Sequence, residues 1–292
     1  MNSQFKTLGI VGRHRNQQAA ETLQELIQYL SALNLNCLLD SETAPAIPNH
    51  DLQVLSRPEL CQKADLLIVI GGDGNLLHTA RDAVYHHVPV LGINRGRLGF
   101  LTDILPNRFD KIKTILEGDY ILEKRFLLEA SVIHQDRVLG SDLALNEVAL
   151  IPSSVPHMTE FEIYINNQFV CSQDSDGVII ATPTGSTAYA LSGGGPILHP
   201  KLDAIVIVPM FPHTLSMRPI VIEGNQTVDI FISKNNTAQP RLACDSHQLI
   251  ETPLGSRIQI KKFKQHLDLI HPTDYDYYES LRSKLQWGRK LS

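Results

Sequence analysis

Apolar and polar positions follow two different rhythms along this chain, and the rhythm changes near Leu122. Before that point, short apolar runs alternate with helical stripes. Residues 7–11 read as an opening strand, and Ala19, Leu23, Leu26, Ile27, Leu30 and Leu33 then recur at helical spacing. Residues 37–39, 66–70 and 88–93 are further strands. One helix is expected to open near Asn75 and another to cover about 110–117. This alternation predicts a doubly wound, mainly parallel sheet with helices on both faces, an α/β domain. The stretch 41–58 shows no clear period and holds three prolines, so it is read as a mobile loop.

After Leu122 the period shortens. Residues 160–165 alternate, Asn166-Asn167 supplies a tight turn, and 168–170 return as the partner of a hairpin. Strand-like runs follow or precede it at 127–133, 137–144, 178–181, 205–208, 228–232, 257–261 and 267–270. Short strands with almost no helical period indicate an all-β, β-sandwich-like second domain. The expected division is an α/β domain over 1–122, an all-β domain over 123–271 and a helix-like terminal segment over 272–292.

Composition narrows the class. The chain has 292 residues, 43% of them hydrophobic and 20% charged, which is ordinary for a globular protein. A formal net charge of −5 argues against a nucleic-acid footprint. No apolar run approaches the ~20 residues that span a bilayer, and the N-terminus has no signal-peptide pattern. Cys37, Cys61, Cys171 and Cys244 are scattered without ligand spacing, so they are read as reduced thiols in a cytoplasmic protein.

Two motifs carry candidate chemistry. Gly71-Gly72-Asp73-Gly74 follows the apolar run 66–70 directly. Glycines at a strand end let the backbone approach a bulky anion, and an aspartate beside a helix start puts a general base where phosphates would bind. The same Asp73 would serve equally as a side-chain cap of the following helix. The second motif is Asp176-Gly177, an apolar run over 178–181, and Thr182-Pro183-Thr184-Gly185-Ser186-Thr187-Ala188-Tyr189. Its hydroxyls and free amides at a helix start suit sugar or phosphate oxygens, although a ligand-free capped helix has the same composition. Arg13-His14-Arg15 and Arg95-x-Arg97 lie just after predicted strands, where they could meet phosphate or simply solvent.

Taken in order, the GGDG loop, Asn94-Arg95-Gly96-Arg97-Leu98-Gly99-Phe100-Leu101-Thr102, Leu145-Asn146-Glu147 and the SDG…TPTGSTAY stretch resemble the NAD kinase family over the length of the chain. The resemblance implies phosphoryl transfer from ATP to the 2′-hydroxyl of the adenosine ribose of NAD, with Asp73 as general base and Gly71, Gly72 and Gly74 shaping the phosphate loop. It implies that Asn146 and Glu147 contact the dinucleotide, that Asp176 binds its nicotinamide end, and that Thr187, Ala188, Tyr189, Ala190, Leu191 and Ser192 line the adenine-ribose side. Tyr189 would equally suit a core aromatic, and Asn146-Glu147 a strand-end turn. His78, one turn into the helix after GGDG, and His157 are further binding candidates, as is His247 in Asp245-Ser246-His247, where relatives often carry glutamine. The stretch 209–219 would shape a loop, with His213 unassigned. The resemblance further implies Mg²⁺ carried on the donor phosphates, a homotetramer, a terminal segment that packs back on the first domain, and chemistry in the cleft between domains. Two alternatives remain open at this level: a non-catalytic NAD(P) sensor, and a lipid or sugar kinase that shares the GGDG loop.

Overall fold

The computed structural model describes residues 4–12, 17–95, 99–153, 158–214 and 216–287, with the side chains of 17–19 and 248 left aside. The chain forms two compact units, one made of Met1–Lys124 with Leu267–Ser292 and the other of Arg125–His266.

The first unit begins with β1 (Thr7–Gly12), α1 (Gln17–Ala32) and β2 (Asn36–Asp40). There follow β3 (Gln53–Leu55), α2 (Arg57–Lys63), β4 (Leu66–Ile70), α3 (Asp73–His86), β5 (Val90–Ile93) and α4 (Phe109–Leu116). The strands are parallel in the order β3-β2-β1-β4-β5. All five residues of β4 are buried, because helices cover both faces of a parallel sheet. Leu8, Ile10, Leu66, Ile68 and Ile70 meet Leu23, Leu26 and Leu30 of α1 and Ile112 and Ile115 of α4 in one core. On the opposite face lie α2 and α3, with Leu60, Leu76 and Ala80 fully buried. Each such aliphatic side chain stabilises the fold by about 1.5–3 kcal/mol.

The reading of 41–58 as a loop is corrected here. That stretch contains a 3₁₀ turn at Ala44–Ala46, the edge strand β3 and the start of α2. A buried polar network holds it. Arg57 donates from Nε and Nη2 to the two oxygens of Asp40 at 2.9 and 3.0 Å, and from Nη1 to Thr79 Oγ1 at 2.9 Å. Thr43 Oγ1 donates to the Gly12 carbonyl and accepts from the Gly12 amide at 2.8 Å, tying the segment to the end of β1. Asp40 is fully buried, so the bidentate guanidinium is what makes its burial tolerable.

The second unit contains β6 (Ile121–His134), β7 (Arg137–Ala144), β8 (Glu147–Ile151), β9 (Thr159–Ile165), β10 (Gln168–Ser175), β11 (Gly177–Ala181), α5 (Tyr189–Ser192) and β12 (Ala204–Met210). These are followed by β13 (Ile220–Glu223), β14 (Val228–Ile232), β15 (Arg241–Cys244), β16 (Gln248–Glu251) and β17 (Arg257–His271). One sheet has the order β10-β9-β14-β17, with β6 beside β17 and β7 beside β6. The other is antiparallel in the order β13-β12-β11-β8-β15-β16. Val148, Leu150, Val178 and Ile180 of the second sheet face Phe161, Ile163, Ile230 and Ile258 of the first across a single core. The remaining inward positions of β8, β11 and β12 (Ala149, Ile179, Val206, Val208) turn the other way and bury Ala190 and Leu198.

Four strands of this unit, β8, β13, β15 and β16, were outside the sequence expectation, and the runs 257–261 and 267–270 are one continuous strand. The end of β17 lies in the first unit, where Leu269 and Ile270 pair in parallel with Val90 and Leu91. It is followed there by α6 (Tyr277–Leu285), whose first turn is capped by Asp276 accepting from the Tyr278 amide. Among the described residues no helix is long and apolar enough to cross a membrane. All four cysteines carry free thiols.

Candidate active site

GGDG sits where a parallel sheet offers a ligand position, beyond the carboxyl end of β4. The Gly71 amide donates to the Ile93 carbonyl at 2.9 Å, which joins the start of the loop to the end of β5. Asn75 Nδ2 donates to the Ile70 carbonyl at 3.0 Å and closes the turn from below. A Cβ at Gly72 or Gly74 would meet no described atom within 4 Å, and both residues are exposed. The space beside them is open among the described residues.

The helix opens two residues earlier than expected, at Asp73, and Gly72 occupies the N-cap position. The Asp73 side chain does not cap its own helix. Its Oδ1 accepts from the Leu101 amide at 3.1 Å, the Thr102 amide at 3.2 Å and Thr102 Oγ1 at 3.1 Å. Its Oδ2 accepts from the Phe100 amide at 2.9 Å. Successive amides of this kind form a nest that holds an anion in place. Among the described residues Oδ2 has a single donor, so one lone pair stays open on a half-buried carboxylate. Asn94 Nδ2 donates to Thr102 Oγ1 at 2.9 Å and supports the nest from β5. Gly99 must lack a side chain here, because a Cβ would collide with Asp73 Oδ1 and Thr102 Oγ1. His78, half-buried, lies with its Nδ1 3.3 Å from Arg81 Nη2. Arg95 is half-buried, and its Nε has no hydrogen-bond partner among the described residues. Residues 13–15 and Arg97 lie outside the described residues.

The second unit brings together three stretches that are far apart in sequence. Asp245 accepts from the amides of Leu145 at 2.7 Å, Asn146 at 2.8 Å and Glu147 at 3.1 Å. Thr182 donates from its amide to the Asn146 carbonyl and from Oγ1 to the Leu145 carbonyl. Gly185 packs directly on the Asn146 backbone, with no room for a Cβ. Glu147 is 5% exposed and faces the Tyr189 amide, yet its Oε2 has no partner among the described residues. Burial, and then the nearby Asp245 charge, push its carboxyl up to about 8.

The other expected positions divide. Thr187 Oγ1 donates to the Thr184 carbonyl at 3.2 Å, and Ala188, Leu191 and Asp176 are half-buried. Tyr189 is 40% exposed, which corrects its reading as a core aromatic. Tyr189 and Ser192 line a hollow of about 430 Å³ together with Met210, Phe211 and Met217. The Ala190 side chain is fully buried against β11 and β12, so any part it plays in binding falls to its backbone. His247 and His213 are exposed, and the His213 amide donates to the Asp174 carbonyl. His157 lies outside the described residues.

In the sequence the 94–102 stretch offered Arg95 and Arg97 as possible phosphate contacts, and Asp245 stood in a candidate loop with His247, but Gly99, Thr102 and Asp245 themselves carried no role. All three are anchors, Gly99 and Thr102 for Asp73, and Asp245 for Asn146 and Glu147. Among the described residues no group of three or more His, Cys, Asp or Glu side chains converges as a metal cage.

Comparison with known proteins gives a consistent picture. Residues 8–120 match the family model of the ATP-NAD kinase N-terminal domain, and residues 145–272 that of the ATP-NAD kinase C-terminal domain. The chain is 52% identical over 289 residues to a curated NAD kinase of Pseudomonas syringae pv. syringae (strain B728a), covering 99% of this chain and 98% of that protein. It is 50% identical, with the same coverage, to an NAD kinase of Ectopseudomonas mendocina (strain ymp). In fold it matches the crystal structure of yeast NADH kinase complexed with NADH at a TM-score of 0.90 and 23% identity, covering 100% of this chain and 90% of that one. An NAD kinase from Archaeoglobus fulgidus in complex with ATP matches at a TM-score of 0.73 and 22% identity, covering 96% and 98%.

Proposed function

The chain belongs to the NAD kinase family and is a kinase that acts on NAD; from that premise we propose that the reaction is transfer of the ATP γ-phosphoryl group to the adenosine ribose 2′-hydroxyl, with Asp73 as general base. The observation that carries this reading is the Asp73 nest. Three amides and a hydroxyl orient the carboxylate, Oδ2 has a single donor among the described residues, and two exposed glycines leave room beside it.

In this mechanism Asp73 Oδ2 takes the proton of the 2′-hydroxyl as its oxygen bonds to the γ-phosphorus. The bond from that phosphorus to the β,γ-bridging oxygen breaks, and ADP leaves with the electron pair. Positioning and charge stabilisation dominate because the transition state is loose. Gly71, Gly72 and Gly74 admit the phosphates, and His78 is a further donor at that end. Asn146 and Glu147 receive the dinucleotide together with Thr187, Ala188, Tyr189, Leu191 and Ser192, with the Ala190 backbone contributing. Asp176 serves the nicotinamide end, and His247 is a further binding candidate, as is His157, which lies outside the described residues. Magnesium would enter on the donor phosphates and supply charge neutralisation.

The proposal extends to a homotetramer in the cytoplasm. An exposed aromatic patch on the outer face of β9, β10 and β14 supports self-association. Tyr164 packs edge-on against Phe169 at 5.4 Å and Phe231 at 5.2 Å. Sedimentation of the purified chain tests that state.

The deciding experiment is ATP-dependent formation of NADP from NAD with Mg²⁺, comparing the wild type with Asp73→Asn. Product from the wild type and almost none from a folded variant supports the assignment. A variant that retains most of its turnover removes Asp73 from the role of base.

A further inference from the structure

Behind the Asp73 nest lies a buried charge cluster that the reaction itself does not use. His271, the last residue of β17, is fully buried, with Nδ1 2.7 Å from Asp103 Oδ2 and Nε2 3.4 Å from Glu123 Oε2. Both acids are more than nine-tenths buried. The ring is stacked on Tyr275 with centroids 3.9 Å apart and planes 10° from parallel, so it cannot turn freely. The ring can donate from Nδ1 to Asp103 either as the Nδ1–H tautomer or as the imidazolium. Clusters of this kind rarely stabilise a fold more than apolar packing would, since two carboxylates and a ring must be desolvated together. Their distinctive property is direction. Here the direction is transmitted through a single peptide bond, because Asp103 follows Thr102, which supplies two of the four donors to Asp73.

We propose that His271 is a positioning residue for phosphoryl transfer, which by holding Asp103 keeps the 100–102 amides and the Thr102 hydroxyl aimed at Asp73. The proposal rests on the reading of Asp73 as the base. Loss of the anchor would let the nest drift and turn the open Oδ2 lone pair away from the acceptor hydroxyl. Misplacement of a catalytic group by about 1 Å costs on the order of 10²-fold in rate. Binding of NAD and ATP, which uses other residues, would be preserved.

The test compares wild type, His271→Gln, Asp103→Asn and Asp73→Asn in the full chain, by steady-state kinetics and by hydrogen exchange at the Phe100, Leu101 and Thr102 amides. The expected result for His271→Gln and Asp103→Asn is a fall in kcat of about 10- to 100-fold with KM for NAD and ATP within about threefold, together with faster exchange at those three amides. Wild-type kcat, or unchanged exchange at 100–102 in a folded variant, overturns it. If His271→Gln does not fold, Asp103→Asn, which keeps the shape of the side chain, carries the test. Retained turnover in Asp73→Asn would sink the base assignment, and the exchange data would still decide whether His271 holds the nest.

Discussion

Each unit of this protein seats one aspartate on three consecutive backbone amides, and the two seats differ in what they do to their surroundings. In the first unit Asp73 accepts from Phe100, Leu101 and Thr102, and in the second Asp245 accepts from Leu145, Asn146 and Glu147. Around Asp73 the described partners all donate, including the Thr102 hydroxyl, and among the described residues Oδ2 has a single donor. Around Asp245 a second acid is buried within reach, and Glu147 holds its proton up to about 8. The first nest therefore holds an oriented side chain whose Oδ2 has a single donor among the described residues. The other offers a neutral carboxylic acid that can donate a hydrogen bond. What sets the second seat apart is its neighbour Glu147, whose carboxyl is pushed up by burial first and by the Asp245 charge second.

The largest expected break in this contrast is kinetic. Asp73→Asn lowers kcat by about 10²–10⁴-fold, the usual worth of a general base, whereas Asp245→Asn changes kcat by less than about 10-fold and acts on the KM for NAD. Equal losses of kcat in the two variants would remove the distinction.

Next in size is the frame under the first nest. Arg57→Ala leaves Asp40 buried without its partner, and urea unfolding should show a loss of about 3–5 kcal/mol. A loss below about 1 kcal/mol would mean that water replaces the guanidinium.

The glycines that touch each nest sharpen the comparison further. Gly99→Ala presses on the Asp73 carboxylate, a movable side chain, so kcat should fall about 10- to 100-fold with little change in melting temperature. Gly185→Ala presses on the Asn146 backbone, which cannot yield, so stability should fall by about 1–3 kcal/mol. Thermal melts and kinetics on both variants would show whether the two effects separate in this way.

A separate effect concerns pH. Above its ordinary value of 4.5 the Glu147 carboxyl ionises in the unfolded chain, while the fold keeps it protonated until about 8. Folding therefore loses stability as pH rises through that window, and the loss levels off above it. Glu147→Gln should flatten this slope. It should melt higher than wild type at pH 8.5, by about 2–4 °C for each kcal/mol recovered, and no higher below pH 4.5. Identical pH slopes in the two proteins would show that Glu147 is ionised in the native state.

Much of the frame was legible in the chain. β1, β2, β4, β5 and α1 follow from apolar runs and a helical stripe that local sterics translate directly into strand and helix. The segment 41–58 was not legible, because Pro45, Pro48 and Pro58 erase its period and β3 is only three residues long. What orders it is the Asp40–Arg57 pair, seventeen residues apart. β13 was missed because its residues are exposed or half-exposed at a sheet edge and carry no alternation. β17 was split in two because Lys261–His266 is mostly polar, although the backbone stays extended through it. In the candidate site, the chain showed Asp73, Asn146, Glu147 and Tyr189 at predicted strand or helix ends, but not what they touch.

The sequence by itself determined where strands stop, where glycine lets backbone turn, and which acids stand at those ends, since these depend on neighbours a few residues away. Only the tertiary structure decided which amides each aspartate faces and which acid keeps its proton. Those contacts join residues 27 to 100 positions apart, and hydrogen bonding and desolvation over such separations leave no periodic trace in the chain.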